Sequence, residues 1–327
     1  LKSIGLLQTS SFDEISKVIN DALKLGDFSD DGHDWAKDFE ERFVPKFRNP
    51  ISTGWPLIDD TVGGGLGQKE LGVVIAPTGA GKSMALVHLG ANALKQGKNV
   101  VHYTLELQDT VIASRYDSCL TKIPLGSLMS FKEKIFEEVQ EIKGRLIVKE
   151  YPTKSASTNT IKAHLEKLKM KGFQVDMIIV DYADLLRPIN SLKEKRIELE
   201  TIYEDLRGMA SENVVPIWTA SQTNRSGLNA EVVTMESISE AFNKCFVSDF
   251  IFSLSRTVDD KLANGGRLFI AKNRNGPDGL VFPIFMDTSC VAIKVLDPSA
   301  AEVDVSSKTQ KESLLKKYKK FKNNTGG

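Results

Sequence analysis

Cysteine and histidine are scarce in this sequence, and the few that occur show no functional spacing. Among 327 residues there are three cysteines and four histidines. No two cysteines form a CxxC motif, which argues against a zinc site and against a disulfide framework. We expect Cys119, Cys245 and Cys290 to be buried, small apolar side chains in a reducing compartment, and the histidines to be structural.

An excess of charge and a long apolar run are also missing. Lysine plus arginine and aspartate plus glutamate number 43 each, so the chain lacks the uniformly basic surface of many duplex-binding proteins. A ring can still concentrate a few basic groups in its bore. No apolar stretch approaches the length that crosses a bilayer, and no secretory leader opens the chain. We therefore expect no membrane association and a cytoplasmic location.

What the sequence does contain is the composition of a globular protein, with 41% hydrophobic and 26% charged residues. Residues 1–50 predict a tether of two short amphipathic helices, which cannot build a core alone. Residues 51–300 predict one large domain. Residues 301–327 are rich in lysine and predict a mobile tail, with a nucleic-acid or partner contact as the alternative.

Alternating strand and helix patterns in residues 51–300 predict βαβ units, and hence an α/β fold with a mainly parallel sheet flanked by helices. The predicted strands are Leu71–Ala76, Val100–Leu105, Leu146–Glu150, Met177–Asp181, Pro216–Ser221 and Phe250–Leu254. The predicted helices include Ser83–Lys95, Thr158–Lys171 and Lys193–Ser211. Turn residues at 275–279 separate Leu268–Lys272 from Leu280–Phe285, which predicts C-terminal antiparallel strands.

A phosphate-binding loop lies between the first predicted strand and the helix that follows. Its residues are Ala76, Pro77, Thr78, Gly79, Ala80, Gly81, Lys82 and Ser83. In such a loop the backbone N–H groups and the helix dipole hold phosphates. Lys82 is expected to contact the β and γ phosphates of ATP, and the Ser83 hydroxyl to bind Mg²⁺.

Three polar residues follow other predicted strands and complete the candidate site. Asp181 ends an apolar strand, as the acid that orients Mg²⁺ does in this class of site. Glu106 follows the strand after the phosphate loop, where a carboxylate can accept the proton of the attacking water, or can serve only as a helix-start acid. Gln222 ends another buried strand and is a weaker candidate, as a sensor of the γ-phosphate.

Taken in order, five segments resemble the RecA-like motor domain of DnaB-type hexameric replicative helicases. They are residues 52–66 before the phosphate loop, the T-L-E-L at 104–107, the V-D-Y at 180–182, the T-A-S-Q-T-N-R at 219–225 and the A-K-N-R-N-G-P-D-G at 271–279. Residues 144–152 are most similar to the replicative helicases of T-even-like tailed phages. The resemblance spans about residues 35 to 297.

The resemblance implies a RecA-like P-loop ATPase core that forms a homo-hexamer and hydrolyses NTP at subunit interfaces. It implies 5′ to 3′ movement along single-stranded DNA, a primase and a helicase loader as partners, and the host cytoplasm as location if a phage encodes the chain. It assigns the catalytic base to Glu106. It also implies that Lys272 and Arg274 act in trans, with Arg274 as an arginine finger.

Two other functions remain compatible with the same motifs. A RecA-type recombinase or recombination mediator would use ATP to hold a filament on DNA, and a KaiC-like regulatory ATPase would act without DNA. The hairpin motif at 272–279 and the lead-in tether favour the helicase. For DNA contacts we consider Ser239–Lys244 and Arg187–Arg196.

Overall fold

A nine-stranded sheet organises the second of two units into which the chain divides, Leu1–Phe47 and Arg48–Gly327. The computed structural model describes residues 35–37, 40, 48–190, 194–223, 232–233 and 245–298. Most of the predicted tether and all of the lysine-rich tail after residue 300 lie outside these residues. No helix within them is both long enough and apolar enough to cross a membrane.

Six parallel strands form one side of the sheet, and three antiparallel strands extend it. In spatial order the strands run β3-β2-β4-β5-β1-β6-β7-β8-β9. Their bounds are β1 Leu71–Ala76, β2 Val100–Thr104, β3 Leu146–Glu150, β4 Met177–Asp181, β5 Ile217–Gln222, β6 Phe250–Ser255, β7 Gly265–Asn273, β8 Val281–Asp287 and β9 Ala292–Val295. The predicted α/β fold and its C-terminal antiparallel strands are therefore confirmed.

Helices connect the parallel strands, as βαβ crossovers require. The α-helices within the described residues are α1 Pro56–Val62, α2 Lys82–Lys95, α3 Asp109–Thr121, α4 Lys132–Gln140, α5 Thr158–Met170, α6 Lys195–Asn213 and α7 Val258–Leu262. Short 3₁₀ helices occupy Leu125–Phe131 and Ala183–Leu185. Ser157 begins α5 with a capping box, in which its hydroxyl accepts from the N–H of Thr160.

The central strands are apolar along their whole length because both faces of the sheet are covered. All six residues of β1 and all five of β4 are buried. Alternate residues point to two cores: Val74 and Ile179 join the one that contains α2, whereas Val73 and Ile178 join the one that contains α5 and α6. Truncating such a side chain to alanine costs about 2–5 kcal/mol of stability.

Several predicted element bounds differ from the structure by one to three residues, and one cysteine is less buried than predicted. The fifth strand begins at Ile217 and not at Pro216, because proline has no N–H to donate; Ile217 N–H bonds the Glu70 carbonyl at 3.0 Å. Cys119 and Cys245 are buried as predicted, but Cys290 is only half-buried, in the turn between β8 and β9.

Within the described residues no group of three or more histidine, cysteine or acidic side chains is arranged to hold a metal.

Candidate nucleotide-binding site

The carboxyl ends of four neighbouring parallel strands bring the predicted site residues together. In the sheet order β2-β4-β5-β1, register pairs Thr104 with Asp181 and Ala76 with Gln222. Glu106 lies two residues beyond Thr104. The acid, the amide and the phosphate loop thus share one edge, which is where ligands bind in open α/β sheets.

The phosphate loop turns sharply from β1 into the N-terminus of α2. Ala80 N–H bonds the carbonyl of Pro77 at 3.2 Å, and Gly79 and Gly81 have φ angles of 74° and 107°. A side chain at Gly81 would be strained at this φ, and its Cβ would lie 2.8 Å from Met286 Cε. The 14-residue helix that follows directs its unbonded N–H groups at the loop, which suits an anion.

Asp181 is a buried carboxylate without a hydrogen-bond partner of ordinary geometry on either oxygen. Its pKa is raised to about 6: burial and the charge of Glu106 raise it, whereas the nearby Ser83 hydroxyl, Arg115 and Lys82 oppose the increase. A buried carboxylate whose oxygens lack partners, beside a serine hydroxyl, is a set of oxygen donors suited to Mg²⁺. The residues present therefore fit the metal that the phosphate loop implies.

Lys82 lies among three carboxylates at this edge. Its ammonium is 3.4 Å from the carbonyl of Ala76 and 5.6 Å from the ring centroid of Tyr182. Burial lowers the pKa of Lys82, and the charges of Glu106, Asp181 and Asp184 oppose that effect. Glu106 itself is exposed at the edge of the site, within electrostatic reach of Lys82 and Asp181.

Gln222 contacts the phosphate loop directly. Its side-chain N–H donates to the Thr78 hydroxyl at 2.6 Å, and its Oε1 accepts from the Tyr182 hydroxyl at 3.5 Å. Tyr182 thus lies against both Lys82 and Gln222. Sequence reasoning did not identify Tyr182 as part of the site, although its position directly after Asp181 was a usable signal.

Asp184 ties the same edge to helix α6. It accepts from the hydroxyls of Tyr203, at 2.9 Å, and Ser221, at 3.3 Å. Tyr203 also donates to the carbonyl of Ala220 at 3.1 Å. Asp184 therefore supports β5 immediately before Gln222.

Lys272 and Arg274 lie at the opposite edge of the sheet from the phosphate loop. Strand β7 is antiparallel to β6, and its last residue, Asn273, pairs with Phe250 at the start of β6. Phe250 in turn pairs with Gly72 at the start of β1. The six residues of β1 cover about 20 Å, so Arg274 cannot reach the phosphate loop of its own chain.

The candidate DNA contacts fall largely on residues that the structure does not describe. Ser239–Lys244 lies outside the described residues, as do Asn224 and Arg225 and the middle of Arg187–Arg196. Their assignment stays a prediction.

The fold and this site define the class of protein, a P-loop ATPase domain with a RecA-like core. Residues 50–290 match the DnaB-like helicase C terminal domain. The chain belongs to this family.

Related proteins agree with this assignment. The DnaB-like replicative helicase of Enterobacteria phage T4 is 29% identical over an alignment of 276 positions, which covers 80% of this chain and 58% of that protein. The replicative DNA helicase DnaB of Mycoplasma genitalium is 26% identical over an alignment of 326 positions, which covers 90% of this chain and 68% of that protein. The chain thus spans less than two thirds of the length of the phage relative.

Two solved structures share the fold. A DnaB-like replicative helicase, described together with its interactions with primase, superimposes with a TM-score of 0.69 and 19% identity over 90% of this chain and 76% of its own. An isolated ATPase domain superimposes with a TM-score of 0.66 and 18% identity, over 82% of this chain and 100% of its own.

Proposed function

We propose that this chain is the motor domain of a hexameric replicative DNA helicase, which uses ATP hydrolysis to move 5′ to 3′ along single-stranded DNA and to separate the duplex. The proposal rests on one observation: the phosphate loop lies at the carboxyl ends of the parallel strands, whereas Lys272 and Arg274 lie at the opposite ends of these strands. An arginine that lies a strand's length from its own phosphate loop can serve catalysis only at the nucleotide of another subunit. A head-to-tail assembly, closed into a ring, provides that arrangement.

In this proposal the residues at the phosphate-loop edge bind ATP and position it. The N–H groups at the start of α2 and the Lys82 ammonium contact the phosphates. Ser83 and Asp181 would hold Mg²⁺, which when bound offsets the charge of the β and γ phosphates. The burial of Asp181 strengthens its attraction for a cation.

Four residues then contribute to hydrolysis and coupling. Glu106 accepts the proton of the attacking water, for which its exposed position beside Lys82 is suitable. Arg274 of the neighbouring subunit stabilises charge developing on the γ-phosphate, with Lys272 beside it. Gln222, bonded to Thr78, reports the γ-phosphate to the segment after β5.

The partners of this motor would be single-stranded DNA, further copies of the chain and, in the cell, a primase and a helicase loader. The primase is suggested by the DnaB-like helicase of similar fold that was described with its primase interactions. We place the protein in the cytoplasm, which is the host cytoplasm if a phage encodes it.

Membership of the DnaB-like family disfavours the recombinase and the KaiC-like ATPase as alternatives. Electron microscopy of the protein with single-stranded DNA and ATP separates the first from a helicase, because a recombinase forms filaments and a helicase forms closed rings. Hydrolysis separates the second, because a regulatory ATPase without DNA activity is not stimulated by single-stranded DNA.

Subunit mixing tests the trans assignment of Arg274. The Arg274→Ala and Lys82→Ala variants should each hydrolyse ATP poorly, by a factor of about 10³–10⁵ for the arginine if it behaves as arginine fingers generally do. Mixed rings should recover part of the activity, because some interfaces pair an intact phosphate loop with an intact arginine.

Two controls make the mixing experiment decisive. Exchange of labelled subunits is shown first. Lys82→Ala is then mixed with the double variant Lys82→Ala/Arg274→Ala, which offers no intact phosphate loop and must recover nothing. Arg145→Ala, at an exposed arginine stacked 5.0 Å from the Phe173 ring centroid and far from the site, should keep full activity. Confirmed exchange without recovery would refute the trans role.

A further inference from the structure

Arg274 lies in a turn whose backbone and neighbouring side chains are held by several hydrogen bonds. The Asn273 amide donates to the carbonyls of Thr61, at 3.0 Å, and Pro277, at 3.1 Å. Asn275 donates from its side chain to Glu70 at 3.1 Å. The backbone N–H of Arg274 bonds the carbonyl of Asp249 at 3.0 Å. These bonds fix the backbone of the turn but not the direction in which the Arg274 guanidinium points.

Asp249 fixes the direction of the Arg274 guanidinium. Its Oδ1 lies 3.0 Å from Nη1 of Arg274, and its side chain is only 6% exposed, whereas that of Arg274 is 49% exposed. The inner part of the guanidinium therefore contacts a buried carboxylate while its outer part faces solvent. An ion pair of this kind, with one partner buried, restricts the arginine far more than a pair between two exposed side chains would.

Asp249 is itself held from two other sides. Its Oδ2 accepts from the N–H of Leu71 at 2.9 Å, at the very start of the strand that leads into the phosphate loop. Arg207 of helix α6 pairs with the same carboxylate, with Nε 2.7 Å from Oδ2 and Nη2 3.2 Å from Oδ1. The carboxylate thus joins the start of β1, helix α6 and the turn after β7.

Two guanidiniums, those of Arg207 and Arg274, face the single carboxylate of Asp249. Burial lowers the pKa of Lys272, the charge of Arg274 lowers it further and that of Asp249 raises it, so Lys272 is within electrostatic reach of both. Among the described residues, these three cations outnumber the carboxylate of Asp249. A cluster with more cations than anions is stabilised by an additional anion, such as a phosphate presented by another subunit.

From these contacts we infer that Asp249 is a positioning residue for the trans reaction: it holds the Arg274 guanidinium in the direction that meets the neighbouring subunit's γ-phosphate. The inference rests on the proposed function of Arg274. Asp249 acts through Arg274 and contacts neither nucleotide nor metal. Binding of ATP to the phosphate loop of the same chain is therefore independent of it.

The Asp249→Asn variant tests this role because it keeps the shape and the bond to the Leu71 N–H but removes the charge. The kcat of DNA-stimulated hydrolysis should fall by about 10- to 100-fold, the effect of losing one charge-assisted hydrogen bond in the transition state. The KM for ATP should stay within about twofold, because the variant loses an interaction made in the transition state and keeps the contacts that bind ATP in the ground state. Mixing with Lys82→Ala should restore activity, as for Arg274→Ala.

A double-mutant cycle separates positioning from general stability. On an Arg274→Ala background, Asp249→Asn should cause no further loss of kcat. The matched control is Asp205→Asn, which neutralises an aspartate of helix α6 that accepts from the Thr158 hydroxyl at 2.8 Å; it does not touch Arg274 and should leave kcat unchanged. If Asp249→Asn does not assemble, Asp249→Glu, which keeps the charge but displaces the carboxylate, should show the same loss of kcat at unchanged KM.

Two of the possible outcomes would overturn the positioning role, and a third would overturn the proposed function. Normal or increased kcat in Asp249→Asn, with Arg274→Ala inactive, overturns the positioning role and leaves the proposed function standing. A further loss of kcat on the Arg274→Ala background also overturns it, in favour of a structural role. Normal kcat in Arg274→Ala itself overturns the proposed function on which the inference rests.

Discussion

The buried carboxylate of Asp181 should make the nucleotide-free protein less stable as pH rises. The ordinary pKa of an aspartate is 3.8, and burial raises that of Asp181 to about 6. Between these values the folded protein binds more protons at this site than the unfolded chain does, so stability falls with increasing pH. The penalty is absent below about pH 4 and complete above about pH 6.

The size of the penalty follows from the pKa. One pKa unit corresponds to about 1.4 kcal/mol, so ionised Asp181 destabilises the folded protein by about 3 kcal/mol at neutral pH. Asn has nearly the same shape and does not titrate. The free energy of unfolding of Asp181→Asn, relative to the original protein, should therefore rise by about 2–3 kcal/mol between pH 4 and pH 7.

Urea denaturation at a series of pH values, without nucleotide or metal, measures this difference. The change with pH isolates the charge at position 181 and its interaction with neighbouring charges, because the cost of burying the Asn amide is the same at every pH. Parallel stability profiles would refute the reasoning. With Mg²⁺ and ATP at pH 7 the original protein should gain more stability than Asp181→Asn, because only the original protein keeps the carboxylate proposed to hold Mg²⁺.

The remaining predictions concern the chemical step and its coupling to DNA. Glu106→Gln should retain ATP binding but lower kcat by about 10²–10⁴, whereas Lys82→Ala should lose affinity as well. The matched control is Asp109→Asn, which changes the exposed acid at the start of α3. If Asp109→Asn loses as much kcat as Glu106→Gln does, the result would favour the alternative in which Glu106 is only a helix-start acid. Gln222→Ala should bind ATP and lose stimulation by single-stranded DNA, because it removes the bond to the phosphate loop; persistence of full stimulation would reduce Gln222 to a structural amide. Each is read from steady-state hydrolysis with and without DNA, together with nucleotide titration.

The order of local patterns along the chain determined the class of fold. Strands β1 and β4 have the bounds that their apolar runs predict, because a central parallel strand must be apolar on both faces. Strand β3 also has its predicted bounds, although it lies at the edge of the sheet and is only partly buried. The phosphate loop was also evident from local sequence. Its glycines permit the positive φ angles of the turn, and its lysine and serine are the residue types that bind phosphates and Mg²⁺. The placement of Asp181 and Glu106 then followed from the rule that parallel strands end at one edge.

Only the tertiary structure decided which distant residues meet. The pairing of Leu71 with Asp249 joins positions 178 residues apart, and no periodicity or turn signal connects them. The order β5-β1-β6 creates that contact. It also separates Arg274 from its own phosphate loop by the length of β1, a relation that depends on strand direction and sheet order together. Local sequence sets the conformation of each segment, but the partners of a buried charge depend on packing between elements that are remote in the chain.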